Sequence, residues 1–460
     1  MLSTRTLRRH PARAGAGLLA VATVVLLGLQ RPALAAPVTS APAEAAAGWL
    51  TTQLVDGDHI VITIDLNGDG VITDDERFPD YGLTADTVIA LAAAGVGLDY
   101  STAAMDYLET NVELYVGDAD GVGDADGEFY TGALAKTLLA ADVTGRDPAT
   151  FGEVDVLSRL LSTEQPSGRF SDISAFGDFS NNIGQSFAVL ALARVDPSAL
   201  SPAAAGFLAG QQCVDGGALD GNVPLTIGAD PCAAESSSID TTSFAVQALL
   251  AVGDSDSAAA GLSYLGRSQG AEGSFSDLGV ENSNSTGLAA QTLRVGGLDA
   301  PADAAVDWLV ARQLDCSAPP EQQGAIAYTD GPDGSPLYDD RATRATTQAA
   351  PGIAGVGLSD VASAGSTAAA PRLDCGATTS TATPTPTPTS APTSSPTAPP
   401  TLTSSPTPSA PGTTAGPTSS RPGLPNTGAD IAPLLGVGGF SLVIGVGLLA
   451  ASRRRSGLHR

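Results

Sequence analysis

Residue types and spacing suggest chemistry first in "DLNGDGVITDDE", Asp65 to Glu76. Side-chain oxygens fall at positions 1, 3, 5, 9 and 12 of this stretch: Asp65, Asn67, Asp69, Thr73 and Glu76. Val71 at position 7 offers its main-chain carbonyl, and Gly70 at position 6 allows the sharp turn. Hard oxygen donors in this order suit one calcium ion. A second acidic stretch, Asp118 to Glu128, lacks that order and reads as a solvated loop. A second set of chemical groups is Asp86, Tyr130 and Asp240, each near the start of a different apolar segment. If those starts converge, they would form the rim of a funnel where carboxyl and phenol groups could move protons. The plainer alternative is that Tyr81 and Tyr130 pack while Asp86 and Asp240 cap or solvate helix N-termini.

The elements around the acidic loop differ from those of a paired EF-hand, which its ligand order resembles. "HIVITI" (His59 to Ile64) precedes it and is β-branched, so a strand is expected there. Pro79 follows it and blocks a long exiting helix. The expectation is an EF-hand-like loop on a hairpin-like insert at residues 55–80.

The body of the chain repeats. Six apolar segments begin at Gly82, Phe129, Asn182, Ile239, Asn284 and Arg341. Between them lie amphipathic segments from Pro42, Ser101, Phe151, Ser201, Asp256 and Pro301, with apolar residues at helical spacing. The sixth apolar segment contains Pro351, which should kink or stop it. Apolar helices alternating with one-faced helices predict two concentric layers, an all-α (α/α)6 toroid of six helical hairpins over 37–375.

Three outer segments end in related phrases: "STEQPSGRFSD" (Ser162 to Asp172), "GQQCVDGGALDG" (Gly210 to Gly221) and "GRSQGAEGSFSD" (Gly266 to Asp277). These resemble the glutamine–glycine signature of the prenyltransferase and squalene-cyclase repeat family, over roughly residues 42–355. The resemblance implies a toroid with a central funnel. Its chemistries transfer poorly. Where terpene cyclases carry Asp-x-Asp-Asp, this chain has "SIDTT", and only Asp240 matches. The inner segments offer no Cys or His for a prenyltransferase zinc, and the complement-type thioester motif is absent. The residues therefore lean against an enzyme. They favour a module binding an unidentified small-molecule, glycan or protein ligand. The alternative is a secreted terpenoid-cyclase-like or carbohydrate-active enzyme using the funnel.

The ends address the protein. Arg5, Arg8, Arg9 and Arg13, an apolar run from Ala16 to Leu29, and Ala33 to Ala35 form a secretory signal peptide over 1–36. Residues 376–423 are rich in Pro, Thr and Ser and predict a disordered, extended linker. "LPNTG" then precedes an apolar run, Ile431 to Ala450, and Arg453 to Arg455. Residues 424–460 thus resemble a Gram-positive LPXTG cell-wall sorting signal with a transmembrane sorting helix. That resemblance implies recognition at Leu424 and Pro425, and cleavage by a sortase between Thr427 and Gly428. Thr427 would then be joined to peptidoglycan, so the expected location is the extracellular surface, covalently on the cell wall.

Composition agrees with export. Between 37 and 428 there are 48 acidic and 13 basic residues, a balance of −35. Such a surface excludes nucleic acid as a partner. The four cysteines lie in the exported part, and proximity with clean nesting predicts Cys213–Cys232 and Cys316–Cys375.

Overall fold

The computed structural model describes residues 37–117, 127–174, 177–277 and 279–376. The signal peptide, nearly all of the linker, the sorting signal and most of the Asp118–Glu128 stretch lie outside the described residues. Among the described residues, no helix is long and apolar enough to cross a membrane.

Thirteen α-helices are formed among the described residues. In chain order they are α1 (Pro42–Leu50), α2 (Tyr81–Ala94), α3 (Leu98–Thr110), α4 (Val112–Val116), α5 (Thr131–Thr144), α6 (Val156–Ser162) and α7 (Asn182–Val195). They continue as α8 (Pro202–Ala209), α9 (Ile239–Ala251), α10 (Ser255–Ser268), α11 (Ser283–Val295), α12 (Asp299–Val310) and α13 (Ala342–Ala354). Helix starts follow capping chemistry: Asp80, Asn181, Ser238 and Asn282 each accept a first-turn N–H at α2, α7, α9 and α11. Gly95, Gly145 and Gly355 end α2, α5 and α13 in the left-handed conformation that glycine adopts without steric cost.

Helices α2, α5, α7, α9, α11 and α13 each pack on the next, and α13 returns to α2, closing a ring. Outside them, α3, α6, α8, α10 and α12 pack on α2, α5, α7, α9 and α11. The sixth outer position is filled by the first helix, α1, against α13. The burial pattern explains the layers. Helix α5 is buried on nearly every side, whereas α10 buries Ala258, Gly261, Tyr264 and Leu265 on one face. The seam is tied where the chain ends meet. Strand β1 (Val38–Thr39) pairs in parallel with β6 (Arg372–Leu373), and the Cys316–Cys375 disulfide lies beside it in sequence. Cys213–Cys232 is also formed, so both expected pairings are present.

The glutamine–glycine phrases act as straps. Gln212 Nε2 donates to Gly221 O at 3.1 Å and to Ser257 O at 3.0 Å in the next outer helix. Gln269 Nε2 repeats this with Gly273 O and Pro301 O, at 3.0 and 2.8 Å. Gln313 does so with Gly324 O and Pro42 O, at 3.1 and 2.9 Å, which is a fourth copy closing onto α1. In the first copy the strap comes instead from the inner helix: Gln185 Nε2 reaches Gly168 O and Ala204 O. A Cβ on Gly168 or Gly221 would meet a main-chain carbonyl at 2.0 or 2.1 Å, and both have positive φ, so glycine is required there.

Three expectations need correction. Pro351 does not stop α13, which runs on to Ala354. The proline sits in the last turn, so only one helical hydrogen bond is lost. Close packing of Gly352 on Gly287 holds the turn in place. The outer helices are shorter than their periodicity suggests: α6 starts at Val156, not Phe151, because Gly152 and Glu153 take positive φ in a tight turn. Neither Asp86 nor Asp240 caps its helix, since Asp80 and Ser238 hold those positions.

The hairpin-like insert is present. β2 (Val61–Thr63) pairs antiparallel with β3 (Arg77–Pro79), with Ile62 opposite Phe78. A third small pair, β4 (Ser276–Asp277) with β5 (Val280–Glu281), leads into α11.

Candidate functional site

One end of the ring is corked. The segment after α13 is held against the inner helices by Arg194, whose Nη2 donates to Val361 O at 2.9 Å. Gln247 Oε1 accepts from Leu358 N at 2.9 Å, and Gln291 Nε2 donates to Val356 O at 2.6 Å. Leu358 and Val361 are buried. The other end carries the starts of the inner helices, and there the charged side chains gather.

On the α2–α5 side, Lys136 Nζ lies 2.9 Å from Asp86 Oδ1. Lys136 is 2 % exposed and is the chain's single lysine. Its ammonium also sits 5.4 Å from the Phe187 ring centre, and Phe187 packs 4.8 Å from Phe244. Tyr115, from α4, is pushed well above the ordinary phenol range by burial, then by the Asp86 and Asp80 charges. Arg344 of α13 reaches Asp80 at 3.4 Å. Tyr81 stacks with Tyr107 and tilts against Tyr115, so it packs.

Tyr130 has its own surroundings. Its hydroxyl donates to Glu128 at 3.0 Å and lies 3.3 Å from Ser174 Oγ. Burial, the largest cause, pushes it up to about 12, so it is a neutral phenol at physiological pH. Asp172 holds the neighbouring start of α5 by accepting from Thr131 N and Oγ1, at 2.7 and 2.9 Å.

On the α9–α11 side, Asp240 is the second residue of α9. The residue is partly exposed, but its Oδ1 is sealed from solvent and has no hydrogen-bond partner. Burial and then the Asp277 charge push its carboxyl up to about 7, with the Ser285 hydroxyl pulling the other way. Its sequence neighbours are committed to local structure: Ser238 caps α9 and donates to Thr241 Oγ1, and Thr242 bonds back to Ser238 O. Asp240 is thus a lone proton-holding carboxyl without the flanking acids of the cyclase motif.

Of the three rim residues read from the sequence, each has found a different partner set. Lys136, Arg344, Asp277 and Ser285 complete the site and were not singled out. The one available signal was the "FSD" ending shared by two repeat phrases, which supplies Asp172 and Asp277.

In the acidic loop the oxygens turn inward. Asp65 accepts from Gly68, Asp69 and Gly70, and Asn67 and Asp69 each accept from the loop backbone. Glu76 bridges the loop ends, accepting from Leu66 N at 2.9 Å and Thr73 N at 2.9 Å. The N–H of Gly70 holds Asp65 below its usual range, and Thr73 does the same for Glu76, so both are carboxylates at neutral pH. Elsewhere Asp215 lies against Cys213 and Cys232, but those sulfurs are joined in a disulfide, which rules this cluster out as a metal centre.

No family model matches the sequence, and no curated protein matches it. Solved structures do. The type II terpene cyclase MstE from Scytonema aligns with a TM-score of 0.48 at 12 % identity, covering 68 % of this chain and 96 % of that one. A structure named as a glycosidase aligns at 0.45 and 13 %, covering 69 % and 97 %. The ent-copalyl diphosphate synthase from Streptomyces platensis aligns at 0.40 and 18 %, covering 61 % of this chain and 50 % of that one. At these values no substrate transfers. All three are named as enzymes, which runs against the sequence reading that leaned away from one.

Proposed function

We propose that the end of the toroid carrying the inner-helix starts is an active site in which Asp240 is the proton donor. The observation that carries this reading is the state of its carboxyl. The residue is partly exposed on the first turn of an inner helix, and burial beside Asp277 holds the proton on up to about pH 7. A carboxylic acid kept neutral near working pH can give its proton to a substrate atom and recover it from solvent. Lys136 and Asp86 form a fixed ion pair across the ring that positions charge without consuming protons. The test is a mass-spectrometric screen of the secreted protein in heavy water, against glycosides and isoprenoid alkenes. Turnover that Asp240→Asn abolishes, with the fold retained, supports the reading; turnover unaffected by the substitution rejects it.

The sequence supports a further proposal about place. The leader 1–36 exports the chain, and a sortase joins Thr427 to peptidoglycan. Two disulfides suit an oxidising destination. Muramidase-released wall peptides ending at Thr427 would support this. Unchanged wall retention of a Thr427→Ala variant would reject it.

The loop Asp65–Glu76 is proposed to hold one calcium through Asp65, Asn67, Asp69, Thr73, Glu76 and the Val71 carbonyl. Support comes from the all-oxygen donor set and from two carboxyls held ionised. Calorimetric titration with calcium should show one site that Asp65→Ala/Asp69→Ala removes. No heat at millimolar calcium would reduce the loop to a turn.

A further inference from the structure

The segment after α13 does more than cork one end of the ring. It is stitched to the inner helices one after another, running back round the ring. Gln291 on α11, Gln247 on α9 and Arg194 on α7 hold Val356, Leu358 and Val361. Ser363 N then donates to Val143 O on α5 at 2.8 Å, and Thr367 N to Gly95 O at the end of α2 at 3.0 Å. Arg372 N and Asp374 N finally donate to Pro37 O and Thr39 O, both at 2.8 Å. Cys375 comes next and is bonded to Cys316, just past the end of α12.

The bridge stands where the fold stops. The Pro-, Thr- and Ser-rich linker begins at the following residue, Gly376. The bridge encloses α13 and the whole cork in one covalent loop, with a sequence separation of 59. Cys213–Cys232, between α8 and α9, encloses no helix. A pull on the chain beyond Gly376 therefore meets a choice of routes. Without the bridge it would run back through the cork. The stitches would be loaded from one end and break singly, each worth only about 1 kcal/mol net. Their loss would uncover Leu358 and Val361 and then load α13, whose Arg344 reaches Asp80. With the bridge, the pull crosses a covalent bond into Cys316 and α12, which packs on α11.

We propose that Cys316–Cys375 is a tension latch. Load arriving through the linker passes across it into α12, and the cork and α13 stay unloaded. The inference rests on the reading that Thr427 ties the chain to the wall, since a chain tethered there is pulled from that side. The latch is open to reductants: Cys316 is exposed, whereas Cys213 of the other bridge is fully buried.

The test is single-molecule pulling on the whole secreted chain. One handle is the C-terminal linker, and the other is an azide-bearing residue in place of Gly266 on α10. A side chain there meets nothing within 4 Å. The wild-type chain should show no early release before the ring gives way. Cys316→Ser/Cys375→Ser should first release about 70 Å at lower force, the contour of residues 355–374 at roughly 3.5 Å each. Reductant added to the folded wild-type chain should bring in the same event, which covers a variant that fails to fold. Rupture of the unbridged chain in one step at the wild-type force overturns the proposal, because the cork would then bear the load unaided. The pull enters at the linker whatever the natural anchor. Unchanged wall retention of Thr427→Ala would thus reject the anchor and leave the latch standing.

Discussion

Lys136 Nζ sits 2.9 Å from Asp86 Oδ1, joining α5 to α2 inside the ring, with the lysine 2 % exposed. A buried ion pair is weak evidence for stability, because desolvation offsets most of the attraction. Losing one member is another matter. Lys136→Met should destabilise the fold by about 3–5 kcal/mol, since the Asp86 carboxylate is left without its partner. Lys136→Met/Asp86→Leu should recover most of that loss. Denaturant melts of the two variants decide it, and equal midpoints would show that the pair is not coupled.

Asp240 should make stability fall as pH rises. Its folded value is about 7, against an ordinary value near 3.8. Folding therefore takes up a proton between these values. The stability this gives is present below about pH 4 and is lost as pH rises to about 7. Asp240→Asn should raise the melting temperature at pH 8 and leave it nearly unchanged at pH 4. A gain of equal size at both pH values would mean the carboxyl is not held neutral.

Two glycines on the inner helices should differ sharply. A Cβ on Gly287 would meet the Gln348 carbonyl oxygen at 2.5 Å, whereas on Gly132 the nearest atom is the Gly184 Cα at 3.9 Å. Gly287→Ala should cost on the order of 2–3 kcal/mol by forcing α11 from α13. Gly132→Ala should be neutral or stabilising by up to about 1 kcal/mol through helix propensity. Thermal melts in which Gly132→Ala is the worse variant would contradict the packing described.

The two disulfides should contribute unequally. Cys316–Cys375 closes a separation of 59 residues that includes α13, and Cys213–Cys232 one of 19. Chain-entropy reasoning gives about 4 kcal/mol for the longer loop and about 3 for the shorter. The variant Cys316→Ser/Cys375→Ser should therefore unfold at lower denaturant than Cys213→Ser/Cys232→Ser. The longer bridge also secures the closure where α1 meets α13. The opposite order would show that the closing contacts are carried by β1, β6 and the Gln313 strap alone.

Much of the architecture was legible because it is written in local periodicity. Inner helices are apolar on every face and outer ones on a single face, and that difference alone sorts them into layers. The glutamine–glycine phrases could be seen as repeats, but their role could not, because Gln212, Gln269 and Gln313 each bond to a helix that is remote in the chain, 45, 32 and 271 residues away. The fourth phrase is the least regular, because its glycine stands eleven residues after Gln313, against nine after Gln212 and four after Gln269. Pro351 misled for a local reason: propensity cannot see Gly287 packed against Gly352.

The residues of Asp65–Glu76 and the hairpin around them were fixed by neighbours in the chain, so the sequence by itself determined them. The same holds for the six-hairpin plan. What the tertiary structure decided is the electrostatics around the starts of the inner helices. Asp240 looked like a helix-start carboxylate, and became a proton-holding acid only where folding buried it and brought Asp277 to it from another segment. Lys136 was an unremarked residue in an apolar helix until α2 placed Asp86 beside it. Protonation state depends on burial and on charges a few ångströms away, and those distances exist only once the ring has closed.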